Sequence, residues 1–223
     1  MASHPDRSRS AGHRILVALA VVAVATLALA GCGKDGDTKT GGTDALEGLT
    51  RDQPLDLGDR TMPQVHADGT TTPFTLHGPQ GGLLFIAFGY TNCPDVCPTT
   101  LSDIRKALKE LAPEDAKRVE VAFATVDPER DTADVMTQYL GSFVADGHPL
   151  RAENPADLHA VQDVLGITSQ VVKQPDGTVE VAHTARSFVV DDQGRVAVEW
   201  TFGTTYEAMA HDLQILLDRD KTP

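Results

Sequence analysis

Cys93 and Cys97 stand four positions apart in the stretch Tyr90-Thr91-Asn92-Cys93-Pro94-Asp95-Val96-Cys97-Pro98, directly after an unbroken apolar run from Leu83 to Gly89. Thiolate sulfur is both a nucleophile and a soft metal ligand, and a helical turn brings positions i and i+4 to one side, so the pair supports either chemistry. Four readings follow: an inert structural disulfide, a thiol redox couple, a zinc site and a copper site. A disulfide across so short a loop removes little unfolded-state entropy. Structural zinc wants four nitrogen or sulfur ligands where the pair supplies two. Thiolates joined by one imidazole suit Cu(I), and hold Cu(II) if an oxygen ligand is added. Spacing alone does not say which of the eight histidines would join them. His66, His77, His148, His159 and His211 fall on expected loops or helix surfaces, whereas His183 falls in a bend just before a late strand. Asp127, where an apolar segment meets Pro128, is placed to accept local backbone hydrogen bonds.

These side chains need a scaffold, and the apolar pattern supplies one. Leu83 to Gly89 reads as a strand covered on both faces. Pro98 suits the first turn of a helix that carries Leu101, Ile104, Leu108 and Leu111 at helical spacing, so the cysteines sit at a strand-to-helix junction. The N-terminal end of that helix favours thiolate through its unpaired N–H groups. Val119 to Val126 is a second buried strand, and Thr132 caps a helix through Val135, Met136 and Tyr139. Pro155 to Leu165 is a further helix, Pro175-Asp176-Gly177 a turn, Ser187–Val190 with Val196–Trp200 a β-hairpin, and Tyr206 to Leu217 a closing amphipathic helix. Short strands or a hairpin precede all this between Pro63 and Gly82. Strand, helix, strand, helix implies parallel pairing with right-handed crossovers. The whole order resembles an α/β thioredoxin-like fold, with a central mixed sheet flanked by helices and an extra N-terminal hairpin. In that topology the His183 bend faces the cysteine junction.

Length and charge bound the rest. With 223 residues and a net charge of −13, the chain offers one domain or two small ones and no basic field for nucleic acid or for anionic lipid. At the N-terminus Arg7, Arg9 and Arg14 precede an uncharged run from Ile15 to Ala30, shorter than the roughly 20 apolar residues that span a bilayer. Leu29-Ala30-Gly31-Cys32 then resembles the lipobox of bacterial lipoproteins. The expected organisation is a lipoprotein signal peptide over 1–31, lipidation of Cys32, a flexible Gly-, Asp- and Thr-rich tether over 32–60, and one domain over 61–220. Such a protein sits on the extracytoplasmic face of the cell membrane.

Several motifs in order resemble the Sco/SenC family of membrane-tethered copper chaperones. They are Phe88-Gly89-Tyr90-Thr91-Asn92-Cys93-Pro94-Asp95-Val96-Cys97-Pro98, then Val126-Asp127-Pro128-Glu129-Arg130-Asp131-Thr132, Tyr139 with Phe143, and His183-Thr184. The resemblance implies that Cys93, Cys97 and His183 hold one copper ion and that Asp127 is an acidic residue near it, whose role in metal loading or partner contact stands beside the local hydrogen-bonding one. It also implies a copper donor and a client, cytochrome c oxidase subunit II or a similar copper-site protein, whose dinuclear copper site receives the metal. The alternative it leaves open is thiol-disulfide reduction of that client's cysteines by Cys93 and Cys97. Glu129, Arg130 and Asp131 read as a local charge and capping cluster. Three residues rather than two separate the cysteines, and Thr184-Ala185-Arg186 has no proline, which departs from thioredoxins themselves; Pro94 stands where peroxiredoxins carry threonine.

Overall fold

A computed structural model describes residues 45–220. The expected signal peptide, Cys32 and the first part of the tether lie outside the described residues. Nine strands are described: β1 (Thr61–Val65), β2 (Thr71–Thr75), β3 (Leu83–Gly89), β4 (Val119–Thr125), β5 (His148–Leu150), β6 (Ser169–Lys173), β7 (Val179–His183), β8 (Arg186–Val190) and β9 (Val196–Thr201). The helices are α1 (Val96–Glu110), α2 (Pro113–Ala116), α3 (Ala133–Gly141), α4 (Pro155–Leu165) and α5 (Tyr206–Asp220). Among the described residues no helix is long and apolar enough to cross a membrane.

The main sheet runs β2-β1-β5-β4-β3-β8-β9, and β6 with β7 forms a separate two-stranded ribbon. β3 lies parallel to β4, and β4 to β5, while β8 runs antiparallel to β3 and to β9. This is the mixed, helix-flanked thioredoxin-like sheet expected from the sequence. Alternation along β3 divides the core into two layers. Leu83, Phe85 and Ala87 pack with Leu101 and Ile104 of α1 and Leu213 and Leu217 of α5. Leu84, Ile86 and Phe88 pack with Leu158, Val161 and Leu165 of α4 on the other face. Every residue of β3 is therefore buried, which is why its sequence is a continuous apolar run.

Register matters for function. β3 and β4 pair from Leu83↔Val119 to Gly89↔Thr125, so both end at one level and their following loops emerge side by side. The loop after β4 is then closed into a cap, with the Thr132 hydroxyl accepting from the Val135 N–H at the start of α3. α1 begins at Val96, two residues before the expected start at Pro98, and the short elements β5 and α2 carry no periodic signal.

The tether boundary needs correction. Residues 45–60, read from composition as flexible, lie along the domain. Leu49 exchanges both backbone hydrogen bonds with Glu199 at 2.9 Å, Val196 N–H donates to Leu55 at 2.8 Å, and Leu57 is fully buried. The Glu47 and Gly48 N–H groups donate to the carboxylate of Asp212, at 2.7 and 2.9 Å, and the Trp200 indole N–H donates to it at 2.9 Å. Gly48 is needed there because a Cβ would stand 2.6 Å from the Trp200 ring. Composition could not show this, since the partners lie at the far end of the chain. Asp212→Ala should orphan three donors and cost about 3 kcal/mol, read as a lower urea midpoint, with Asp212→Asn losing less.

Candidate metal and thiol site

Gly89 closes β3, and Tyr90 to Asp95 form the turn leading into α1, with the Cys93 N–H donating to the Tyr90 carbonyl at 3.2 Å. Asp95 is the N-cap of α1 but its side chain caps nothing. Sulfur does that work instead: the Cys97 N–H, in the first turn, donates to the Cys93 Sγ at 3.4 Å. Cys93 is half-buried at the surface and Cys97 is buried beneath it, both as free thiols.

The two thiols are electrostatically unlike. Burial pushes the Cys93 thiol up, but N–H donors of Cys97, Asp95 and Val96, with the Cys97 thiol, outweigh it and hold Cys93 below its ordinary value. Cys97 is pushed well above the thiol range, first by desolvation and then by its hydrogen bond with Cys93. The helix terminus thus favours thiolate at Cys93, as expected from the sequence, but at Cys97 burial wins.

Behind Cys97 there is no space to spare. A Cβ on Gly89 would come within 2.5 Å of the Cys97 Sγ and 3.0 Å of the Phe123 ring. The last residue of β3 must therefore be glycine for the thiol to occupy its pocket, a requirement that sequence reasoning missed although the Gly at the end of an apolar run was visible. The Tyr139 ring packs on Phe123 and Phe143, at centroid distances of 5.7 and 5.4 Å, and its hydroxyl has no hydrogen-bond partner among the described residues.

The ribbon β6–β7 delivers His183, its last residue, paired opposite Ser169. Ser169 is itself fixed by the buried Gln162 of α4, 2.9 Å away, and Thr184 N–H donates to Thr168 at 2.9 Å. His183 Nε2 stands 3.9 Å from the Cys97 Sγ, and Nδ1 lies 3.2 Å from the Thr184 carbonyl. A carbonyl only accepts, so Nδ1 carries the proton and Nε2 presents its lone pair to the sulfur. Desolvation lowers the His183 pKa against a smaller opposing hydrogen bond to Thr184, which keeps the ring neutral at pH 7. The Tyr90 ring meets the imidazole edge-on, 6.1 Å between centroids at 88°.

At 3.9 Å the Cys97 Sγ and the His183 Nε2 are close enough to share one ion, and sulfur with imidazole is a donor pair that suits soft or borderline metals. Among the described residues no three His, Cys, Asp or Glu side chains already form a closed cage.

Asp127 stands one step further away. It is buried, its N–H donates to Thr125 Oγ1 at 3.0 Å, and its carboxylate pairs with Arg130. The Arg130 guanidinium in turn lies 5.8 Å over the Tyr90 ring that touches His183. Glu129 pairs with Lys173 on the His183 ribbon, an exposed contact worth little in stability. His66, His77, His148, His159 and His211 are elsewhere; His148 lies against Phe74 and Gln64, and the His66 ring nitrogen against Thr72.

A buried parallel β3–α1–β4 unit, a thiol pair at its strand-to-helix turn and an antiparallel β8–β9 hairpin define the thioredoxin-like class. Within it, the SCO1/SenC family profile matches residues 64–218, and the chain belongs to that family. A "putative copper-binding protein" of Stutzerimonas stutzeri is 27% identical over 164 residues, covering 73% of this chain and 80% of that one. The solved structure of Bradyrhizobium japonicum ScoI with copper bound is 33% identical, with a TM-score of 0.59 over 70% of this chain and 98% of that one. The apo Sco1 protein of Thermus thermophilus is 29% identical, with a TM-score of 0.64 over 77% and 97% of the two chains.

Two outcomes are expected from this geometry. The rate of Cys93 alkylation, followed against pH by mass spectrometry, should have its midpoint below that of the same residue in the urea-unfolded chain, because a lowered pKa populates thiolate earlier, while Cys97 in the Cys93→Ser variant stays protected through pH 9. Gly89→Ala should cost about 1–3 kcal/mol in denaturant unfolding and expose the displaced Cys97 to the same reagent.

Proposed function

We propose that this protein binds one copper ion through Cys93, Cys97 and His183 and delivers it to the dinuclear copper site of cytochrome c oxidase, on subunit II or a similar client. The observation that carries the reading is the neutral imidazole nitrogen of His183 facing the Cys97 sulfur at 3.9 Å, in a member of a family with a copper-bound solved relative. Cu(I) prefers thiolate and imidazole, and binding releases the protons of both thiols. Half-exposed Cys93 is the ligand a client thiolate can replace first, and transfer then proceeds by ligand exchange. Asp127, through Arg130 and Tyr90, would support the imidazole from behind. Lipidation at Cys32, with residues 1–31 removed, would hold the domain at the extracytoplasmic membrane face beside a membrane-bound client, and a copper donor would load it there.

A second reading draws on the inequality of the thiols. Cys93, half-buried and with lowered pKa, suits attack on a client disulfide; Cys97, buried and protonated, suits resolution. The Cys93 sulfur would form a mixed disulfide and release one client thiolate. Cys97, giving up its proton, would attack the Cys93 sulfur and release the second, leaving Cys93–Cys97 oxidised and dependent on an external thiol reductant.

His183 separates the two. Anaerobic competition titration with a chromophoric Cu(I) chelator should find one copper per wild-type chain, with affinity falling about 100-fold in His183→Ala. Equal affinity in both proteins, with client maturation still abolished by Cys93→Ser and Cys97→Ser, would replace delivery with disulfide reduction.

A further inference from the structure

Asp131 is completely buried, yet among the described residues it makes no ion pair. Its charge is met by three donors. Oδ2 accepts from the Thr91 N–H at 3.0 Å and from Thr125 Oγ1 at 2.6 Å, and Oδ1 accepts from Thr91 Oγ1 at 2.5 Å. Burying a carboxylate without a cation is costly, and fold stability alone would be as well served by an apolar side chain of similar volume. The donors show what the cost secures. Thr125 is the last residue of β4, and Thr91 lies two residues before Cys93. Asp131 is itself held by its N–H on the Asp127 carbonyl at 3.0 Å, and the Val126 N–H on the Gly89 carbonyl at 2.8 Å ties the bases of the two loops. The cysteine turn has few other anchors on that side. Its Asn92, Pro94 and Asp95 are exposed.

We infer that Asp131 is a positioning residue for the metal site, clamping Thr91 to the end of β4 so that the turn bearing Cys93 holds its sulfur at the start of α1, 3.4 Å from the Cys97 nitrogen. This rests on the metal-binding reading above. The clamp works through geometry, and an amide can reproduce it. In Asp131→Asn the side-chain oxygen accepts from the Thr91 N–H and Thr125 Oγ1, while the nitrogen donates to Thr91 Oγ1, whose hydroxyl proton turns elsewhere. Asp131→Ala loses all three bonds, and Thr91→Val loses one and leaves the N–H contact.

Three readouts on the full set of variants test this: Cu(I) affinity by chelator competition, the thiolate-to-Cu(II) charge-transfer band, and the alkylation rate of Cys93 in metal-free protein. Asp131→Asn should stay near wild type in all three. Asp131→Ala should bind copper about 10- to 100-fold more weakly, with a shifted band and faster Cys93 alkylation. Should Asp131→Ala not fold, Thr91→Val carries the test, with a modestly lowered urea midpoint, since Oδ1 loses its donor, together with a shifted band and a faster alkylation rate. The inference is overturned if Asp131→Asn loses as much affinity as Asp131→Ala, since charge and not position would then matter. It is equally overturned if the foldable variants lower the urea midpoint while leaving band and alkylation rate unchanged. If wild type binds no copper but Asp131→Ala still frees Cys93 to alkylation, the metal reading fails and the clamp on the cysteine turn stands.

Discussion

The in-register parallel pairing of β3 with β4 is the constraint on which the site depends. Because Gly89 and Thr125 end the two strands at one level, the cysteine turn and the Asp127–Asp131 loop share one end of the sheet. Antiparallel β8 pairs Ser187 with Ala87, so its approach from His183 arrives at that same end. Three remote stretches of chain thus meet without any of them being near in sequence. A one-residue slip in β3 would turn Phe85 and Ala87 to the wrong layer and carry the cysteine turn with it, so core packing enforces the alignment of the site.

The site then divides its sulfur chemistry between surface and interior. One thiol takes the helix N–H that a capping side chain would normally take, and the other is forced by Gly89 into an apolar pocket against Phe123. The first is easy to ionise and the second hard, a difference created by burial rather than by residue type. Under the proposed function a bound metal would reverse it, because coordination removes both protons and substitutes the ion's charge for the missing solvent. The two proposed roles would thus use the pair differently, as unequal thiols when empty and as a pair of thiolate ligands when loaded.

Much of this was legible in the chain. The run Leu83–Gly89, the proline after Cys97, the cap at Thr132 and the hairpin around Asp191–Gly194 announced their elements because each is decided by local physics. Cys93 and Cys97 were visible for the same reason. His183 was singled out only by topology, since nothing in its own neighbourhood distinguishes it from the other histidines. Gly89, Asp131 and the docked segment 45–60 were illegible in their roles. The first depends on the volume of a thiol eight positions on, the second on Thr91 forty positions back, and the third on Asp212 and Glu199 at the opposite end of the chain.

The docked segment also changes what the sheet offers to other proteins. By exchanging hydrogen bonds with Glu199 it occupies the outer edge of β9. At the opposite edge Pro73 of β2 stands across from Pro63, whose carbonyl turns to the β5 side to accept from Arg151; the missing N–H of Pro73 therefore falls on the outer, solvent side of β2. Neither border of the main sheet is thus an inviting template for a foreign strand. Strand addition to the main sheet is disfavoured at both borders. A domain crowded against its own copies is protected from edge-to-edge association by the same two features.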